Sequence, residues 1–282
     1  MEKRIFQRIG LVGAGLIGGS IAAALARRIA DAALIVHDAS PGNAAYVAER
    51  HPGGSVGGIT DMAGCDAIFV ATPIAAIPSQ VEALLALEGE AVIIDTGSAK
   101  AEIVAAIAAS GVDTACFVPG HPLAGGISTG PGHSTPDILT ARPFVLTPSE
   151  ATAPEALATA HTLLETLGAR VVEMEAAAHD RLLARGSHLP HLIAFALAEF
   201  AEEDVRDLLP ASFRGIATFA ASDPEMWADI FRANREGLAE ALETFKKRLD
   251  LIAAMADEPT PGSLLETLET AKARIDALEN DA

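Results

Sequence analysis

Along residues 1–174, short aliphatic runs alternate with longer alanine-rich stretches, the pattern of an α/β fold in which helices cover both faces of a doubly wound parallel sheet. The runs at 9–12, 34–37, 67–71, 91–95, 116–119, 143–146 and 170–174 are rich in Val and Ile and bounded by turn residues, which predicts strands. Helical periodicity fills most of the gaps, for instance at 19–29 and 154–167. From Ala176 onward the strand signal stops, so a boundary is expected near Glu175, between an α/β domain of residues 1–174 and an all-helical domain of residues 175–282. One long helix is predicted from Ser222 or Asp223 as cap, with Pro224 in its first turn, to about Met255. A closing helix from Ser263 to about Glu279 follows the break at 257–262. A helical domain of about 110 residues cannot bury the apolar faces of such long helices by itself, which predicts a homodimer through the C-terminal helices.

Composition narrows the class of partner. Half of the 282 residues are hydrophobic, which excludes global disorder. A net charge of −18 leaves no basic face to neutralise phosphates, so a small molecule is expected, and neither a nucleic acid nor an anionic membrane surface. The two cysteines, Cys65 and Cys116, lie in apolar stretches and read as buried thiols of a reducing compartment. The apolar run at 9–26 is long enough to suggest a leader or a membrane span, but Gly13, Gly15 and Gly18 would weaken such a helix and a strand-like run follows. A cytoplasmic, unprocessed chain is expected.

Three segments carry candidate chemistry. Gly13-Ala14-Gly15-Leu16-Ile17-Gly18 follows a strand and opens a helix, where backbone N–H groups can meet a pyrophosphate with no side chain in the way. Asp38, at the end of the second strand, is placed to accept ribose hydroxyls. No Lys or Arg stands in 39–42 to pair a 2′-phosphate, so NAD is preferred over NADP. Thr72-Pro73 and the segment 95–100 end two further strands, where open parallel sheets bind ligands. Within the latter, Ser98 reads either as a ligand-facing hydroxyl or as a helix cap. His121 sits in a strand-end loop among Gly120, Pro122, Ala124 and Gly125, and its pKa range suits a base that takes a hydroxyl proton. In the helical half, His179, Asp180, Ser187, His188 and His191 share one region, with 184, 188, 191 and 195 on one predicted stripe. Two histidines three apart with no third ligand argue against zinc. His188 reads as a packed, hydrogen-bonded ring and His191 as the better candidate to touch substrate.

Taken in order, the segments at 13–20, 95–100 and 120–125, His179-Asp180, Ser187 to His191, and Ser222 to Trp227 resemble the prephenate/arogenate (cyclohexadienyl) dehydrogenase family. The resemblance spans nearly the whole chain and is specific through the joint occurrence of its motifs. It implies a Rossmann-type NAD-binding domain followed by a helical substrate-binding and dimerisation domain, with the active site between them. It also implies NAD-dependent oxidative decarboxylation of an anionic substrate, prephenate or arogenate, in tyrosine biosynthesis. On that basis His121 takes the ring-hydroxyl proton and Ser98 helps hold the hydroxyl, while His191, in one motif with Ser187 and His188, helps bind substrate. Three departures fall in site segments: Thr218 where the family usually has an arginine paired to a substrate carboxylate, Gly126-Ile127 in place of Thr-Glu, and Arg185-Gly186 in place of an apolar residue and threonine. Arg185 is the first candidate to replace the missing cation and Arg214 the second, against a solvated surface role for Arg185. The clustering of these changes keeps open a modified cyclohexadienyl substrate such as an amino-substituted prephenate. A catalytically silent NAD-binding regulator would be expected to lack His121 or Ser98, and both are present.

Overall fold

The computed structural model describes residues 6–126, 128–201 and 209–280, with side chains to residue 277. The chain begins with β1 (Arg8–Val12), α1 (Leu16–Arg28), β2 (Ala33–His37), α2 (Pro41–Ala48), β3 (Gly54–Val56), β4 (Ala67–Val70), α3 (Ile77–Leu85), β5 (Val92–Asp95) and α4 (Ala101–Ala109). It continues with β6 (Phe117–Val118), β7 (Gly120–Pro122), β8 (Pro143–Leu146), α5 (Pro154–Thr166) and β9 (Arg170–Glu173). Only helices follow: α6 (Ala176–Leu183), α7 (Leu189–Phe200), α8 (Ala211–Ala217), α9 (Pro224–Ala233), α10 (Arg235–Ala256) and α11 (Gly262–Asn280). By contact the chain groups into residues 1–235 and 236–282, so α6 to α9 group with the sheets.

Six strands form a parallel sheet in the order β3-β2-β1-β4-β5-β6. The side-chain period of two splits its residues between the faces. Leu11, Leu34, Phe69 and Ile94 bury on one face with Ile21 and Leu25 of α1 and Leu163 and Leu164 of α5. Val12, Ile35, Ile68, Val70 and Ile93 bury on the other with Ile77 and Val81 of α3 and Ile103 and Ile107 of α4. Burial on both faces is why these strands read as continuous aliphatic runs.

Two expectations are corrected here. The run at 116–119 does not give one strand of a single sheet. β6 stops at Val118, and after Pro119, which has no N–H to continue a ladder, β7 enters a second sheet in the order β7-β8-β9. There β7 pairs antiparallel with β8, and β8 parallel with β9. Gly120 permits the switch, since a Cβ on it would lie 2.6 Å from the Phe144 ring and 2.9 Å from the Asp95 carbonyl oxygen. The single helix expected from 222 or 223 to 255 is two helices. Asp223 caps α9 through the Met226 amide at 2.9 Å, and the helical path breaks at Asn234 (φ −118°, ψ 36°) before α10. The buried Asn234 amide donates to the Asp180 carbonyl at 2.7 Å and to His188 Nδ1 at 3.0 Å, which draws the backbone inward at that point. Strand β3, short and half polar, has no counterpart among the expected strands.

In the helical region a π turn at Ala184–His188 joins α6 to α7. It inserts an extra residue ahead of Pro190 and turns both Ala184 and His188 into the interior. In residues 236–282, α10 and α11 leave Leu249, Leu251, Leu265, Leu268 and Ile275 exposed. No helix among the described residues is long and apolar enough to cross a membrane.

Replacing Asn234 by Leu removes the donor from buried His188 Nδ1, at about 1–3 kcal/mol, and one of the two donors of the Asp180 carbonyl, which keeps the Ala184 amide. The expected outcome is a fall of that order in unfolding free energy and a lower Tm, measured by urea and thermal unfolding; a variant as stable as the parent would show that the break in the helix does not depend on these bonds.

Candidate active site

The first site element is the turn from β1 into α1. Gly13 adopts φ +96°, and a Cβ there would lie 2.4 Å from the Ala71 carbonyl oxygen. A Cβ on Gly18 would lie 1.9 Å from the Gly13 carbonyl oxygen, whereas the space above Gly15 is open. No side chain caps α1, which starts at Leu16 and Ile17, so its first-turn amides are left for an anion. Asp38 stands beside this turn, with Oδ2 accepting the Ala14 amide at 2.6 Å and Oδ1 the Ser40 amide at 2.7 Å. Each oxygen keeps a further lone pair for a ribose hydroxyl. Thr72, at the end of β4, carries a buried hydroxyl with no partner among the described residues, next to Pro73. An open cradle over Gly15, free helix amides, a strand-end carboxylate and an orphaned hydroxyl all fit NAD.

The second element begins at the carboxyl end of β5. Asp95 and Lys100 form a fully buried ion pair. Lys100 Nζ also donates to the Gly120 carbonyl at 2.7 Å, while Asp95 accepts the Gly120 amide at 3.0 Å and the Gly97 amide at 2.9 Å. The pair thus grips the backbone immediately before His121 from both sides. Burial pulls the Lys100 pKa down, against the opposing pull of Asp95 and Asp180. Ser98 is half-buried, and it does not cap α4, whose N-cap residue is Lys100. The two amides at that helix start, of Lys100 and Ala101, donate instead to the Asp180 carboxylate, each at 2.8 Å.

Asp180 leads back to His121. Its Oδ1 lies 2.8 Å from His179 Nδ1, and His179 Nε2 lies 2.9 Å from His121 Nδ1, the two rings meeting edge to face. His121 and His179 are both buried. Burial holds the His121 pKa well below 6.5, helped by the positive charges of Lys100 and of any proton on His179 or His188. For Asp180, burial acts upward but is outweighed by the hydrogen bonds from His179, Ala101 and Lys100, which leave its pKa below the ordinary carboxylate value. His188 is buried with Nδ1 on Asn234, and burial lowers its pKa to about 4. His191 is half-buried and stacks on Trp227 with ring centroids 3.6 Å apart, Phe219 lying 4.9 Å away. Its Nδ1–H donates to the Ser187 carbonyl at 2.9 Å, which leaves Nε2 for a ligand; burial lowers its pKa.

The departing positions among the described residues are exposed. Arg185 is exposed and, with Arg181, Leu182 and Gly186, lines an open groove of about 400 Å³. Arg214 is exposed and donates Nε–H to the Leu209 carbonyl at 3.2 Å; Thr218 turns its hydroxyl back to the Arg214 carbonyl at 2.6 Å. Gly126 is exposed, and Ile127 lies outside the described residues. The structure therefore joins His121 to His179, Asp180, Asp95 and Lys100, and joins His191 to Trp227 and Phe219. Sequence reasoning gave no role to Lys100, Asp95, Asn234 or Trp227, and named His179 and Asp180 without one. The available signal was a lysine and an aspartate embedded in otherwise apolar, strand-end sequence.

A glycine turn and a buried imidazole chain at the carboxyl ends of one parallel sheet are the arrangement of a dinucleotide-dependent dehydrogenase. Residues 21–173 match the family model for the prephenate dehydrogenase nucleotide-binding domain and residues 175–270 that for the prephenate dehydrogenase dimerization domain. The chain belongs to the prephenate dehydrogenase family. A cyclohexadienyl dehydrogenase of Zymomonas mobilis is 30% identical over 98% of each chain. Among solved structures, prephenate dehydrogenase from A. aeolicus in complex with hydroxyphenyl propionate and NAD+ matches with a TM-score of 0.90 at 27% identity, over 98% of this chain and 100% of that one. Synechocystis arogenate dehydrogenase matches with a TM-score of 0.83 at 28% identity, over 96% of this chain and 100% of that one.

The lowered pKa of His188 has a consequence for stability. Unfolding restores an ordinary imidazole, so below pH 6.5 the unfolded chain binds a proton that the native ring refuses until about pH 4. His188 therefore contributes nothing adverse above pH 6.5, and stability falls as pH drops from 6.5 toward 4. At 1.36 kcal/mol per pH unit the loss from this ring is about 3 kcal/mol. Urea unfolding at pH 7 and pH 4 measures it, and His188→Gln, which keeps an acceptor for Asn234, should flatten the slope; an unchanged slope would assign the acid loss to other groups.

Proposed function

We propose that this chain oxidises prephenate or arogenate with NAD and releases the ring carboxylate as carbon dioxide, in tyrosine biosynthesis. The observation that carries the reading is a buried, neutral His121 on a strand edge gripped by Asp95 and Lys100, in a fold that also provides an open dinucleotide cradle. Gly13, Gly15, Leu16, Ile17, Gly18, Asp38, Thr72 and Pro73 hold the cofactor. NAD, when bound, supplies the acceptor for the hydride of the ring carbinol carbon. His121 accepts the hydroxyl proton as the carbinol becomes a carbonyl, and Ser98 holds that oxygen in place. Loss of the carboxylate then aromatises the ring, which makes the reaction effectively irreversible. His191, held flat by Trp227 and tied to Ser187, lines the substrate region, with His188 packed behind it.

We assign residues 1–174 to cofactor binding and residues 175–282 to substrate binding and dimerisation. The exposed leucines and Ile275 of α10 and α11 are the surface a second copy of the chain would cover, in keeping with the matched dimerization-domain model. A cytoplasmic location is proposed on the same basis as a biosynthetic role. We assign recognition of the substrate's side-chain carboxylate to Arg185, with Arg181 beside it in the same groove.

Steady-state kinetics with prephenate and with arogenate test the activity. His121→Asn should lower kcat by roughly two to four orders of magnitude while Tm and NADH affinity stay near the parent's. NAD should be preferred over NADP, because a 2′-phosphate would meet Asp38. Turnover within a few-fold of the parent would remove His121 as the base, and no turnover of either compound by the parent would favour a modified cyclohexadienyl substrate.

Arg185→Leu should raise KM or cut kcat/KM by a factor on the order of 30 to 1,000, with little change in Tm. Thr218→Arg in that background should recover part of the loss if both positions serve one carboxylate. Unaltered kinetics would make Arg185 a surface residue.

A further inference from the structure

We infer that His179 and Asp180 are positioning residues that fix the proton of His121 on Nδ1 and so leave Nε2 as its proton-accepting atom. The inference rests on the reading of His121 as the base and adds to it which nitrogen acts and why. The carboxylate of Asp180 closes the N-terminus of α4 by accepting the Lys100 and Ala101 amides. Two N–H donors and the helix dipole hold it as an anion, and an anionic carboxylate only accepts hydrogen bonds. The 2.8 Å contact to His179 therefore requires the His179 proton on Nδ1. In the neutral ring, His179 Nε2 then has a lone pair and no proton, so the 2.9 Å contact to His121 requires the His121 proton on Nδ1 as well. The lone pair left over is on His121 Nε2. Each ring is buried, so neither nitrogen in these contacts can exchange its partner for water.

The backbone reinforces the chain of contacts. Asn234 donates to the Asp180 carbonyl, and Lys100 Nζ and Asp95 hold Gly120, so both ends are anchored from outside the two rings. The charged and titratable groups around His121 are His179, Lys100 and His188, with Asp180 and Asp95 behind them. When His121 gains the substrate proton on Nε2, its Nδ1–H carries part of the new positive charge toward His179, whose own Nδ1–H faces the Asp180 anion. The negative charge is thus aligned with the charge that develops during the reaction, as in an Asp-His pair that orients a catalytic base.

The test reads the tautomers directly. Full-length protein labelled with ¹⁵N in histidine should show, at pH 7 and without cofactor or substrate, His121 and His179 both protonated on Nδ1 with bare Nε2. His179→Phe should release His121 into a mixture that includes the Nε2–H form and lower kcat by at least about 10-fold. The upper limit is about 10⁴-fold, the scale of imposing the wrong tautomer on such a base. KM and NADH affinity should stay within a few-fold. His179→Gln, whose amide oxygen can still accept from Nδ1–H, should restore part of the kcat. A proton on His121 Nε2 in the parent overturns the inference whether or not either compound proves to be a substrate, and so does a His179→Phe variant with parental kcat. The parental spectrum needs no variant to fold, and it stands even if His121 proves not to be the base.

Discussion

A carboxylate on α6 closes the amino end of α4: Asp180 accepts the Lys100 and Ala101 amides that no residue of the local turn satisfies, and this ties the histidine-bearing helix to the loop after β5. Hydrogen bonds to a charged acceptor contribute about 1.5–3 kcal/mol each, roughly twice a neutral one. The site depends on this contact more than on any other, because it sets three things together: the position of α6, the ionisation of Asp180 and the direction in which His179 faces. Without it the start of α4 would leave two donors unpaired, and His179 would lose the acceptor that orients its ring. Asn234 fixes the same segment from the far side, which accounts for a break in a helix whose sequence periodicity runs on without interruption.

The Asp95–Lys100 pair works on the opposite end of the imidazole chain. A fully buried ion pair is weak as a source of stability, since desolvating both groups costs several kcal/mol each before any attraction is counted. What the pair supplies is geometry. Its hydrogen bonds to the carbonyl and the amide of Gly120 fix the residue before His121 at the point where the chain leaves one sheet and enters another. A non-glycine residue could not sit there, so the switch, the grip and the placement of His121 stand together.

Much of the fold was legible in the sequence, because strands buried on both faces leave continuous aliphatic runs and the glycine turn has a fixed spacing. The strand ends at Val12, His37, Leu146 and Glu173 fall within a residue of where the pattern puts them. What escaped has physical reasons. β3 carries too little apolar surface to signal itself, and the division into two sheets turns on Pro119 and on close approach at Gly120, neither of which alters the period. In the site, His121 stood out as a candidate from its glycine-rich loop and His191 from its motif. The link through His179 did not, since 58 residues separate it from His121 and only the three-dimensional path of α6 brings His179 Nε2 within 2.9 Å of His121 Nδ1. Lys100 likewise reads as an ordinary polar residue at a helix start until its burial is seen.

The division of charge between the interior and the rim bears on the proposed reaction. Lys100 is the cation beside His121, but its charge is committed to Asp95 and to the Gly120 carbonyl, so it offers a substrate carboxylate little attraction. Thr218 adds none, with its hydroxyl turned back on its own helix. The platform beside His191 is aromatic, made by Trp227 and Phe219, and the arginines at 181 and 185 lie at an exposed groove. Such a layout suits a reaction in which one carboxylate must leave as carbon dioxide. A buried cation paired to that group would stabilise the ground state more than the transition state, in which the negative charge moves into the ring, and would slow the step.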